Sequence, residues 1–399
     1  MNMKITTTLT LLLSVTFLCA QQTITSADNG LATNPLIWDC TCIPSPDDEI
    51  IIKHDITMNS NWVSNNGGSI TITDQGTLIE DNQNRTILFD AGAAFYNYGN
   101  TTLTNLAFSG GAEGHNHANL DLDTALWVGP GSMFMNHGLT ENVDSTYIEG
   151  MFMNEGTYSY GDFLNEGSLS NTGYIEVDSM YNNEGTINSS AGNITAMDFA
   201  SNGTVNITGD AYMIVNNDFF NGGTLQLETG RDIRVGSDFL NASEGDTAVI
   251  INNGLIEIGN NFNNADTLRG SGLFCIAENS TNTGDVKGEL DICDNTGSSI
   301  FDFNSGNIDV TVTNCNAGCN VGIEEKSPLK INIYPNPVST LLNIEGINKG
   351  KVIINDVMGQ EVYHSYFKHE IDVRGLKNGV YFITVQHNGQ QKMLKFIKR

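Results

Sequence analysis

The residues of this sequence best suited to chemistry lie in one phrase, Glu113-Gly114-His115-Asn116-His117. Alternate residues of a β-strand share a face. Glu113, His115 and His117 therefore project together and could hold a metal ion. The same phrase also reads as a polar loop between strands. Asp121 and Asp123, just downstream, could add oxygen ligands. Asp47-Asp48-Glu49 offers the hard donors that calcium prefers, and equally a solvated turn. Glu155, Glu166 and Glu184 recur at one place in a repeated phrase. If they stacked, their like charges would repel unless a cation sat between them or they splayed into water.

Catalysis has less to draw on. A polysaccharide lyase needs a base to take a proton and acids to hold calcium. The only basic residues between 23 and 322 are Lys53, Arg85, Arg231, Arg234, Arg269 and Lys287. Paired carboxylates for glycoside hydrolysis are available, but no motif singles out a pair. There is no nucleophile elbow, phosphate loop or His-Glu-x-x-His phrase. The expectation is a non-catalytic protein without an organic cofactor, with a calcium-assisted carbohydrate-active enzyme as the alternative.

What must position these residues is a repeat. Phe134-Met135-Asn136-His137-Gly138 returns as Phe152-Met153-Asn154-Glu155-Gly156 and Phe163-Leu164-Asn165-Glu166-Gly167. It continues as Tyr181-Asn182-Asn183-Glu184-Gly185, Phe199-Ala200-Ser201-Asn202-Gly203 and Phe219-Phe220-Asn221-Gly222-Gly223, then fades through Phe239 and Phe262. The leading aromatics are spaced by 18, 11, 18, 18, 20, 20 and 23 residues. A period near 20, with short alternating strands, Gly and Asn turns and almost no helical periodicity, predicts an all-β parallel β-helix. Phe would stack inside. Asn136, Asn154, Asn165, Asn183, Asn202 and Asn221 would form an amide ladder, and Gly would supply a positive φ at the corner. The repeat body is expected over residues 69–322, after a leader and end cap at 21–68.

Charge divides the chain near residue 322. Residues 23–322 carry a net charge of −33 and residues 323–399 one of +4. So acidic a body should repel nucleic acid and anionic membranes. Residues 1–20, with Lys4, an apolar run from Leu9 to Leu18 and Cys19-Ala20, read as a secretory signal peptide. No transmembrane segment is expected in the mature chain. Six further cysteines then suggest disulfides. Cys275 and Cys293, 18 residues apart, would stack on neighbouring turns at bridging distance. Cys315 and Cys319 would close a small loop, and Cys40 and Cys42 either bridge locally or pair elsewhere.

Trp38, the turn Pro46-Asp47-Asp48-Glu49 and the run Ile50-Ile51-Ile52 resemble the opening of many β-helical bacterial surface proteins, which implies an end cap. The last 75 or so residues read Tyr334-Pro335-Asn336-Pro337, then Asp356-Val357-Met358-Gly359-Gln360-Glu361-Val362, Leu376-Lys377-Asn378-Gly379-Val380-Tyr381-Phe382 and Lys395-Phe396-Ile397-Lys398. Strands between these turns would make a small antiparallel β-sandwich. These ordered motifs resemble the type A C-terminal sorting domain of the Bacteroidetes type IX secretion system. The resemblance implies passage through that system's translocon to the outside or the outer cell surface. It also implies roles in fold and export for Tyr334, Pro335, Asn336, Pro337, Gly359, Gly379, Tyr381, Lys395 and Lys398. The combined expectation is a secreted or surface-displayed adhesin or structural protein, with a glycan or another cell surface as ligand.

Overall fold

The structure is a computed structural model that describes residues 21–399, apart from 244, 246, 298, 316–318, 320–330, 347–348, 358, 369 and 388–389. The signal-peptide expectation lies outside the described residues. Among those described there is no α-helix, only a 3-10 turn at Pro35–Ile37. Among the described residues no helix is long and apolar enough to cross a membrane.

The body is a parallel β-solenoid with three faces. One coil shows the plan. Strand Met151–Asn154 lies on the first face, Thr157–Ser159 on the second and Asp162–Asn165 on the third, before Ser168–Asn171 returns to the first. Fifteen strands stack in parallel on the first face, so the chain makes fourteen turns between the first and the last. At ~4.8 Å per turn the rod is about 65–70 Å long. In Asn100–Phe108, Asn119–Val128, Tyr174–Asn182 and Asn193–Ser201 a single strand runs round the corner from the second face to the third.

Alternation builds the core. Strands bury their second and fourth residues and expose the first and third. Phe134, Phe152, Phe163, Phe199, Phe219, Phe239 and Phe262 are all buried, and the Phe219 and Phe239 rings are 4.5 Å apart. The short step of 11 in the aromatic spacing has a simple cause. Phe134 and Phe152 belong to the first face, whereas Phe163 and its successors belong to the third. The phrase thus marks two corners of the triangle.

Each corner has its own amide ladder. On the first, Asn97, Asn116, Asn136, Asn154 and Asn171 donate upward in turn at 2.8–2.9 Å, and Asn171 reaches Ser189 Oγ at 3.2 Å. On the second, Asn165 donates to Asn182, Asn182 to Ser201, and Asn221 to Asn241. The line runs on through Asn264 and Asn282 to Asn304. Asn183 and Asn202 are not rungs. They stand one residue past Asn182 and Ser201, on the outside, and Tyr181 likewise faces out while Met180 fills the core. A one-residue offset in a strand reverses the face, and Met and Ser hid the true phase. The corner glycines also act differently from expectation. Gly138, Gly156 and Gly173 do not need positive φ; a Cβ on Gly156 would lie 2.1 Å from the Gly138 carbonyl oxygen. They are there because successive coils approach backbone to backbone.

Residues 21–33, expected as an exposed leader, supply the first rungs instead. Thr23–Thr25 pairs with Glu49–Ile52, and Gly30–Leu31 with Asp55–Met58. Trp38, 1% exposed, covers this end and donates from its indole to the Ala32 carbonyl.

The disulfides depart from the expected pairs. Cys275 and Cys293 do face each other in register on adjacent coils, but Cys275 bonds Cys319 and Cys293 bonds Cys315. Stacked residues of a parallel ladder point the same way, and a bridge needs Cβ vectors that converge. Cys315 and Cys319, which follow Thr313–Asn314, are instead each bonded to a cysteine of the last coils. Cys40 and Cys42 bridge each other.

The tail forms a separate seven-stranded antiparallel sheet with its own buried core, including Ile331, Leu342, Val352, Ile383 and Phe396. Val338, beside one edge, bridges Lys398 on the strand at the other edge, so the sheet closes over its own core.

Candidate functional site

Two outward surfaces of the solenoid bring chemistry together. The first is on the first face. Strand Glu113–Asn116 lies between Ala94–Asn97 and Met133–Asn136. Gly114 points inward, where a Cβ would meet Phe108 at 2.4 Å and Phe134 at 2.6 Å; only glycine fits between those rings. Glu113 and His115 point outward. His117 follows rung Asn116 at the corner, and His137 follows rung Asn136 one coil later. The ligating nitrogens of His115, His117 and His137 all lie within 4.8 Å of one another.

The rings are layered. Tyr98 stacks on His117 at 4.7 Å and His117 on His137 at 4.6 Å, while Tyr96 stacks on His115 at 5.0 Å. Glu155, next in the corner column, lies 2.9 Å from Nδ1 of His137. An ionised carboxylate only accepts, so Nδ1 is the donor in this pair. Glu113 pairs with His115 at 3.5 Å. Burial, then the electrostatic influence of His137 and His115, lower the pKa of His117.

The histidine group therefore includes His115 and His117 with His137, which sequence reasoning missed, while Glu113 is a neighbour of His115. The missed signal was positional: His117 and His137 both follow a ladder asparagine. Asp121 and Asp123 do not belong to the group. Asp121 sits on the second face opposite Glu141. Asp123 lies at the next corner, where burial, then Glu80 and Asp121, raise its pKa.

The second surface is on the third face. Tyr181, Ala200, Phe220, Leu240 and Asn263 form one outward column. Beside it runs a column of acids, Asp198, Asp218 and Asp238. Each aspartate accepts from the backbone N–H one coil on, Asp218 to Asp198 at 3.4 Å, Asp238 to Asp218 at 3.1 Å and Asn261 to Asp238 at 3.1 Å. The two columns line a concavity of about 480 Å³. Across the corner, Asn183, Asn202, Thr224, Ser243 and Thr247 line a polar concavity of about 810 Å³. Phe220 borders both.

The other candidates are absorbed by the fold. Asp48 accepts from the amides of Gln22 at 3.1 Å and Ser45 at 2.7 Å, so it closes a turn. Glu155 and Glu166 occupy different corners and do not stack. Glu166 accepts from Tyr147 Oη at 2.6 Å and Asn183 at 2.9 Å, which lowers its pKa. Among the six cations, Arg85, Arg231, Arg234 and Lys287 pair with Asp81, Asp210, Glu257 and Asp285.

In the tail, the Pro-Asn-Pro segment is stitched to the last strand. Asn336 donates to the Lys395 carbonyl at 3.0 Å and accepts from the Ile397 amide at 3.0 Å. Gly359, at φ +80°, ends the turn begun by Asp356. Gly379 opens a strand paired with Lys398. Tyr381 donates to the Lys377 carbonyl at 2.8 Å and stacks on Phe396 at 5.5 Å. Tyr334 is half exposed, and Lys398 is 7% exposed. Residues 332–399 match the family described as the secretion system C-terminal sorting domain. The tail is a sorting domain. A sorting domain implies handling by the type IX secretion machinery and delivery to the cell surface or beyond. The first and last motifs of this one are neighbours in space, since Asn336 joins them. No curated protein matches the chain.

Proposed function

We propose that the protein is a non-catalytic surface or secreted adhesin that binds a glycan along the third face of its solenoid. The observation that carries this reading is Phe220, an outward aromatic set between two concavities and beside the Asp198–Asp218–Asp238 column. Aromatic faces offer a large apolar contact for the C–H face of a sugar ring. Carboxylates fixed by backbone amides offer acceptors for its hydroxyls, the few placed polar groups that orient a ligand. The aspartates recur on three successive coils and the aromatics Tyr181 and Phe220 on every second one, so a chain of sugars would lie along the axis. The negative body disfavours polyanions, which points to neutral or amino-sugar polysaccharides.

The test is retention of the purified full chain on neutral, amino and acidic polysaccharides, with and without calcium, beside F220A and Y181A. Retention on neutral or amino polymers without cleavage, weakened tenfold or more in F220A, is expected. Cleavage would transfer the aspartates to a hydrolytic role. Equal retention of F220A would move the ligand off this face.

A further inference from the structure

The histidine group has a second chemistry beside it. His115 is in register with Met135 on the next coil, and Met135 with Met153; Glu113 is likewise in register with Met133, and Met133 with Met151. All four methionines stand at outward positions, flanking buried Phe134 and Phe152, and Met151 is 43% exposed. A third of the chain's 12 methionines thus face outward on two adjoining strands. Core packing explains none of them, because the phenylalanines between them fill the interior.

Imidazole nitrogen beside thioether sulfur is a donor set with a definite preference. Imidazole suits zinc, copper, iron and nickel, whereas thioether is a soft ligand that selects Cu(I). We propose that this patch is a copper site, in which His115, His117 and His137 give nitrogens and Met135 gives sulfur.

The geometry is close to what such a site needs. Two nitrogens on one tetrahedral ion stand about 3.3 Å apart for bonds of about 2.0 Å. The three nitrogens, within 4.8 Å of one another, must close by about 1.5 Å at most. They have room to do so, since His117 is exposed and the side chains of His115 and His137 are 15% and 29% exposed. Glu155 already holds His137 through Nδ1, as a carboxylate behind a metal-bound imidazole does. Glu113 and Glu155 also supply negative charge beside the ion. Tyr96 and Tyr98, stacked on His115 and His117, limit how the rings can turn away.

The experiment is a titration of the purified full chain with Cu(I), under anaerobic ascorbate against a chromophoric Cu(I) chelator, with Zn²⁺ as the comparison ion. One copper per chain is expected, held more tightly than zinc. The H115A/H117A/H137A triple variant should lose it. Met135→Leu keeps volume and outward position. It should weaken Cu(I) by about tenfold or more while leaving zinc affinity unchanged. Circular dichroism confirms that each variant keeps its β-structure. The proposal is overturned if the chain retains no copper, if the triple variant retains it, if zinc binds as tightly as Cu(I), or if M135L leaves Cu(I) affinity unchanged. None of these outcomes depends on glycan binding, which uses another face.

Discussion

Asn182 and Asn183 are neighbours in sequence with opposite expected behaviour. Asn182 is fully buried. It accepts from Asn165 Nδ2 at 2.7 Å and donates to Ser201 Oγ at 2.9 Å and to the Gly185 carbonyl at 3.1 Å. In N182A the Asn165 amide keeps only longer contacts, to the carbonyls of Thr186 at 3.3 Å and Gly167 at 3.5 Å. Ser201 Oγ loses its donor. Each buried group left without a proper partner costs about 1–3 kcal/mol, so two such groups give about 2–6 kcal/mol. That is a large share of a stability of about 5–15 kcal/mol. Asn183 makes one exposed bond, to Glu166 at 2.9 Å, and N183A should cost no more than about 0.5 kcal/mol. Urea denaturation gives the overall difference. Because each coil contacts only its neighbours, hydrogen exchange should localise the N182A loss to Tyr174–Asn182 and Asn193–Ser201. A loss in N183A equal to or above that in N182A would refute the placement of the ladder.

Two other measurements probe the ends and the core. Peptide mapping without reduction should recover Cys275–Cys319 and Cys293–Cys315. C319S opens a loop of 44 residues and should cost about 2–4 kcal/mol, whereas a Cys275–Cys293 peptide would overturn the path of the closing segment. At alkaline pH the buried Tyr158, its pKa pushed up to about 12 by burial, should weaken the fold. The unfolded phenol ionises near pH 10 while the folded one stays neutral. Stability present below about pH 10 is therefore lost as pH rises toward about 12. A Tm that falls across this window, less steeply in Y158F, is expected; parallel pH profiles would remove Tyr158 as the cause.

The solenoid was legible because its signal is redundant. Phe134, Phe152 and Asn136 state the same period many times over, and the tail motifs are ordered and specific. What was hidden follows from how the repeat is built. One phrase serves two corners, so the 11-residue step looked like an irregularity when it was a change of face. Met180 and Ser201 satisfy the core as well as Phe and Asn do, so the phase slipped by one residue there. His137 was missed because its partners lie a coil away, and adjacency in sequence ranks it below Glu113. The disulfides depended on where residues after 313 travel, which no local pattern states.

The two ladders also explain how outward chemistry can be ordered on the faces of a solenoid. The first-corner line ends at Ser189, and the other has already begun at Asn165, so the lines overlap before one gives way. From Asn97 to Ser201, and again from Asn221 to Asn304, the coils are thus tied by polar rungs at one corner or the other. Any one-residue slip would turn such a rung outward and drive the exposed residue beside it, such as Glu155 or Asn183, into the core. Burying an unpaired polar or charged group costs several kcal/mol, so register is fixed. Fixed register aligns the outside as strictly as the inside. His117 lies over His137, and Phe220 over Leu240, because Asn116 lies over Asn136 and Asn221 over Asn241. The recurring Asn binds nothing external, yet it sets the spacing of every side chain that can.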